Sequence, residues 1–246
     1  QTHQKYFPLY DEEGALAPRF VMVANLETKD QGARIIKGNE RVLRARLYDA
    51  KFFWDSDLKI SLDSHSKRLR DITLHAKLGS VGDKVERLRT VGVSVAEVIS
   101  GANPDWVSRA ALLCKADLAT EMVGEFPELQ GVMGKYYALY QNENNEVAEA
   151  IEEHYKPQGP NDMCPTSSTS VTLALSDKLD VLVSMFGIGE RPTGSKDPYA
   201  LRRAALGVIR LILENNIRIP LSEILLISHN SFENGTLEEY SSYKDS

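Results

Sequence analysis

The stretch RPTGSKDPYALRRAALGVIR, Arg191–Arg210, decides how this chain reads. A loop bearing glycine and proline gives way to a helix start. Asp197 can cap it, Pro198 suits its first position, and Arg202 and Arg203 follow one turn in. Leu201, Ala205, Val208, Ile209 and Ile212 then recur with the helical period. Cations at a helix start entered from a loop are arranged to meet an anion. The competing reading leaves both arginines on a solvated face.

Outward from this stretch the pattern stays helical. Pro198–Glu214 is flanked by expected helices over Val171–Phe186 and Pro220–Ile227. KPQGPNDMCPTSST, Lys156–Thr169, has three prolines and reads as a loop. Upstream of it, helices are expected over Leu129–Tyr140 and Val147–Tyr155, with a long one opened by Asn103-Pro104 and running through Val123. Earlier ones cover Leu62–Leu74, Val81–Arg89 and Val93–Ser100. Asn39 is the expected cap of Glu40–Trp54, whose Leu43, Leu47, Ala50 and Trp54 share a face. Phe20–Val23 has strand length, and Gly14 marks a tight turn before it. Two strands make no stable sheet alone, so this part completes a domain begun elsewhere. The expected fold is mainly α. A helical domain over 61–228 follows a small α+β remnant of an upstream domain (1–60) and precedes a polar tail (229–246) expected to be disordered.

Composition narrows the function classes. With 246 residues, 42% of them hydrophobic, the chain can bury a core. No apolar run approaches a membrane span, and QTHQKYFPLY is no signal peptide. The chain does not open with Met, so it reads as a piece of something longer. Cys114 and Cys164 fit a reducing compartment, with Cys114 as a small buried hydrophobe. A net charge of −6 argues against generic nucleic-acid binding, but the charge is unevenly spread. Arg34–Lys51 and Arg191–Arg210 are each strongly basic, whereas Asp117–Glu153 has nine anions against the single cation Lys135. Two basic segments can serve a polyanion while the acidic flank stays in solvent.

Enzyme motifs are scarce. The phosphate loop, H-E-x-x-H, paired C-x-x-C and the G-x-S-x-G elbow are all missing. The five histidines are scattered, and His154, in line with Val147 and Ile151, reads as a core histidine. Asp117 shares an apolar face with Ala110, Leu113 and Cys114, while Asp177 and Asp180 sit in VTLALSDKLDVLVSMF. Buried carboxylates must be paired. Either the three build a metal or general-base site, or they pair with Lys115, Lys178 or a helix terminus. The structural pairing is preferred, because nothing supplies nitrogen ligands. Phe53, Trp54, Tyr136, Tyr137 and Tyr140 read as core packing, with base stacking open to Phe52 and Trp54 beside the basic Arg44–Lys51 segment.

IIKGNERVLRARLYDAKFFWD (Ile35–Asp55), KLGSVGDKVERL (Lys77–Leu88), KADLATEMVGEFPELQGVMGKYYA (Lys115–Ala138), AEAIEEHYKP (Ala148–Pro157) and the Ala174–Ile212 run resemble one family. They are similar to the beta subunit of the bacterial heterotetrameric glycyl-tRNA synthetase, and the likeness extends from about Gln4 to Leu225. The resemblance implies an interior piece of a longer, cytoplasmic polypeptide. Its partners would be an alpha subunit, in an α2β2 assembly, and tRNA(Gly). Glycine activation, with ATP and Mg, would belong to the alpha subunit, leaving no cofactor or catalytic residue in this piece. The helical region would be HD-like, a fold shared with metal phosphohydrolases. Where such a hydrolase needs a His-Asp pair, this chain has Cys114-Lys115-Ala116-Asp117, and only Asp83 or Lys84 stands near the expected earlier histidine. Asp117, Asp177 and Asp180 would then be relics of a dismantled metal site. The expected tRNA-binding residues are Arg191, Lys196, Arg202 and Arg203, with Arg44 and Arg46 from the other basic segment. The alternatives are a degenerate metal phosphohydrolase acting through the three aspartates, and a subunit-assembly module.

Overall fold

The structure is a computed structural model that describes residues 6–232 and Leu237. It is mainly helical, with two small two-stranded sheets, and divides into two compact units, Gln1–Lys51 and Phe52–Ser246.

In the first unit, β1 (Tyr6–Tyr10) pairs antiparallel with β2 (Leu16–Met22), placing Tyr6 opposite Met22 and Pro8 opposite Phe20. Gly14 takes φ +81° in the connecting turn, where the Asp11 carboxylate accepts hydrogen bonds from the Glu13 and Ala15 amides. The long helix α1 (Ala33–Asp57) begins six residues before the expected cap Asn39. Thr28 and Asp30 start it instead, accepting from the Gly32 and Arg34 amides. Asn39 lies inside the helix, donating to the Ile35 carbonyl and accepting from the Tyr6 hydroxyl at 2.6 Å. Among the described residues up to Lys51, none is buried.

The second unit begins with the last residues of α1, followed by α2 (Leu62–Arg68), which Ser61 caps and a 3-10 turn over Leu69–Asp71 continues. A minimal hairpin, β3 (Thr73–His75) with β4 (Gly79–Ser80), leads into α3 (Val81–Ala96) through a reciprocal Ser80–Asp83 capping box. One continuous helix replaces the two expected over this region. Gly92 lies inside it and lets α3 approach α4 (Pro104–Leu113), since a Cβ there would lie 2.9 Å from Val107. α4 stops at Leu113 rather than Val123. Thr120 donates to the Asp117 carbonyl and caps α5 (Glu121–Glu125), so local side-chain bonds replace the helical ladder.

α6 (Val132–Tyr140) and α7 (Asn145–Glu153) pack on each other and lead to α8 (Ser168–Gly187). Fourteen of the twenty α8 residues are buried, which makes it the central element. α3, α4, α7, α9 (Leu201–Glu214) and α10 (Leu221–Asn230) surround it, with Val91, Val95, Leu175, Leu179, Leu211 and Ile224 in the shared core. α9 starts at Leu201, three residues later than expected, because Ala200 turns left-handed at φ +54°. Asp197 caps it nonetheless, accepting from the Leu201 and Arg202 amides at 2.8 and 3.0 Å. Leu201 and Val208 of the expected stripe are buried, but Ile209 is 48% exposed and Leu211 takes the inward place.

Of the tail expected to be disordered, His229 and Asn230 end α10, Phe232 stacks on the Arg87 guanidinium, and Leu237 packs with Leu78, Met185 and Ile188. Its other residues from Glu233 onward lie outside the described residues. Among the described residues, no helix is long and apolar enough to cross a membrane.

Candidate nucleic-acid interface

Asp177 and Asp180, one turn apart on α8, meet cations from α3 and from the segment that follows α4. Lys84 of α3 lies 3.1 Å from Asp177 and 3.2 Å from Asp180, and Arg87 donates to Asp180 at 2.7 Å. Lys115, just past α4, lies 3.3 Å from Asp177 and 2.7 Å from His154 Nε2. The His154 Nδ1 faces the Ile151 carbonyl at 2.7 Å. A carbonyl can only accept, so Nδ1 carries the proton and Nε2 accepts from the Lys115 ammonium. Burial and Lys115 together hold His154 well below the usual imidazole range, which keeps it neutral. Burial pushes Asp177 upward, but Lys115 and Lys84 outweigh it and hold the carboxyl well below the ordinary value. The result is a neutral histidine and an ionised Asp177 held by lysines, with Asp180 paired to Arg87 and Lys84.

Asp117 stands apart from this cluster. Its Oδ2 accepts from the Gly131 and Gly134 amides at 2.5 and 3.2 Å, closing the start of α6. Burial raises its pKa to about 6 against those two hydrogen bonds. Gly134 is required there, since a Cβ would lie 3.2 Å from the same carboxylate and 2.6 Å from Ile151. The three aspartates therefore do not converge on one point. Among the described residues, no group of three or more His, Cys, Asp or Glu side chains is arranged to hold a metal ion. Cys114 donates to the Ala111 carbonyl, and burial pushes its thiol up to about 12, so it is no nucleophile at neutral pH.

The basic residues lie outside. Arg191, Lys196, Arg202 and Arg203 are all exposed on the loop and first turn of α9. The Arg202 guanidinium donates to the Thr193 carbonyl, and the Thr193 amide to the Lys196 carbonyl at 2.9 Å, so the loop is folded back on its helix. In the other unit, Arg44 is exposed, but Arg46 is half-buried and has a partner. Two residues along a helix turn by about 200°, so these two arginines face opposite ways and form no common surface.

A family model for the glycyl-tRNA synthetase beta subunit matches residues 1–245. The chain belongs to the glycyl-tRNA synthetase beta-subunit family. It is 52% identical over 229 residues to a glycine–tRNA ligase beta subunit of Phenylobacterium zucineum, covering 92% of this chain and 34% of the relative. It is 50% identical over 239 residues to that of Neisseria gonorrhoeae (97% and 34%), and 53% over 224 residues to that of Rhodospirillum centenum (90% and 31%). The chain thus spans about a third of the length of these relatives.

Some polar residues that organise this beta-subunit chain have no sequence signature. Asp57, at the end of α1, accepts from the Glu121 and Met122 amides and from the Tyr137 hydroxyl at 2.8 Å. Arg109 is held between Asp63 and Glu143. These partners are 34 to 80 residues apart, beyond the reach of any helical spacing rule. Trp54 stacks on Tyr137 at 5.1 Å, which makes it a packing residue, while Phe52 is 65% exposed.

Proposed function

We propose that this chain is a non-catalytic, tRNA-binding and scaffolding part of a glycyl-tRNA synthetase beta subunit. In this reading it supports the ATP-dependent ligation of glycine to tRNA(Gly) at a site on an alpha subunit, in an α2β2 assembly of the cytoplasm. ATP and Mg belong to that alpha-subunit site. One observation carries the reading: interior carboxylates are engaged by Lys84, Arg87, Lys115 and backbone amides, while Arg191, Lys196 and Arg203 stay at the surface. Asp117, Asp177 and Asp180 are relics of an HD-like metal site, with side-chain cations now against the α8 aspartates.

The same reading gives residues 1–60 to an α+β domain whose remainder lies in the longer relatives, and 61–228 to the HD-like domain. Phe7, Tyr10, Leu16, Val21 and Val23 support it, each 47–68% exposed in a unit that has no buried residue among those described. The loop at Arg191–Arg203 offers phosphate contacts that position RNA without reading its bases.

Arg202→Ala combined with Arg203→Ala is expected to weaken tRNA(Gly) binding and to flatten its salt dependence by roughly one to two units of log–log slope. Circular dichroism checks that the fold is retained. Unchanged affinity at low salt, with the fold intact, removes these residues from the RNA surface.

A further inference from the structure

One face of α1 carries a line of exposed residues. Lys37, Arg41, Arg44, Tyr48 and Lys51 follow one another at intervals of four, three, four and three residues, so they share one ridge of the helix. All five are exposed, Tyr48 by 69%. The ridge lies opposite the half-buried face of Ile35, Asn39, Leu43 and Ala50, which Asn39 ties to Tyr6 of β1. At 1.5 Å per residue it extends for roughly 21 Å. Asp49 projects away from it, and Glu40, three residues from Lys37 and four from Arg44, is one acid bordering a line of four cations.

A solvated helix face explains lysine and arginine but leaves a large exposed ring in their midst without a role. An array of cations with one aromatic among them suits a single-stranded or looped nucleic acid, where phosphates take the cations and a base takes the ring. A membrane surface fits less well, because an interfacial helix needs a broad apolar face, and the face opposite the ridge carries the polar Asn39 and the charged Arg46. We infer that α1 is an RNA-binding ridge in which Lys37, Arg41 and Arg44 hold backbone phosphates and Tyr48 stacks on an unpaired base. This rests on the tRNA-binding reading and adds a site to it, one on the first unit.

The test is titration of the 246-residue chain with a tRNA(Gly) transcript at several salt concentrations. Arg41→Ala with Arg44→Ala is expected to weaken binding about tenfold or more at low salt and to lower the salt slope by roughly two. Tyr48→Ala is expected to weaken it about tenfold at every salt concentration, leaving the slope unchanged, and Tyr48→Phe to restore the parent affinity. Parent affinity in the double-arginine variant and in Tyr48→Ala overturns the ridge, as does an equal loss in Tyr48→Phe and Tyr48→Ala. If Arg202→Ala with Arg203→Ala still weakens binding in that case, the ridge alone falls. If the parent chain fails to bind tRNA(Gly) even at low salt, the ridge and the functional reading fall together. Loss of binding to phosphatidylserine vesicles in the same variants, with tRNA affinity intact, assigns the ridge to a lipid surface and also overturns the proposal.

Discussion

Between Tyr6 and Lys51 no described residue is buried, whereas α8 of the second unit buries fourteen of its twenty. The first unit turns both apolar side chains and cations toward solvent. The second also holds a charged cluster inside, where Lys84, Arg87 and Lys115 pair with Asp177 and Asp180. A buried charge costs several kcal/mol unless it is matched, so such a cluster persists only where the surrounding helices fix its geometry. An exposed hairpin and helix impose no such demand and carry substitutions cheaply. The contrast separates a self-sufficient helical body from an element that presents surface.

The largest expected effect tests the body. Asp180→Ala removes the carboxylate shared by Arg87 and Lys84 and leaves two buried cations short of a counter-charge. It should cost about 3–5 kcal/mol in denaturant unfolding. A loss under about 1 kcal/mol would mean that the cluster does not hold the helices together.

Next comes a pH effect at Asp117. Its folded pKa, about 6, lies above its ordinary 3.8, so the stability its protonated form confers is fully present below 3.8 and is lost as pH rises through about 6. Asp117→Asn keeps an acceptor for the Gly131 and Gly134 amides but cannot ionise. The wild-type chain should therefore lose up to about 3 kcal/mol relative to the variant between pH 4 and pH 7. His154 acts the other way, since its depressed pKa removes stability as pH falls below 6.5, and comparing the two proteins at each pH cancels it. A constant difference across that range would place the Asp117 carboxyl in contact with water.

The smallest expected effect probes the other side of the comparison. Val21→Asp, at a position 47% exposed, should change the stability of this chain by no more than about 0.5 kcal/mol. A loss of several kcal/mol would show that the hairpin already has a core of its own.

How much of this was legible in the sequence differs between the same two regions. Helix existence in the body could be read from period and caps: Asn103-Pro104, Asp197 and the Val171–Phe186 run all open or form helices. The helix ends were harder, because Thr120 and Ala200 set them through local bonds and a left-handed turn rather than through periodicity. Structural pairing of the aspartates was legible in kind. Asp117 meets a helix terminus and Asp177 meets Lys115, but Lys84 and Arg87 lie some ninety residues before α8 and could not be assigned by spacing. On α1 the basic excess is plain in the sequence, which offers both Arg44 and Arg46 for RNA. The helical turn separates them and joins Arg44 to Arg41 and Tyr48 instead.

Backbone hydrogen exchange of this chain, with and without a tRNA(Gly) transcript, tests the central claim most directly. The account predicts slowed exchange over residues 33–51 and 191–203 when RNA is present, with α8 unchanged. Exchange that is the same with and without RNA, or protection confined to the charged interior around Asp177 and Asp180, would contradict it.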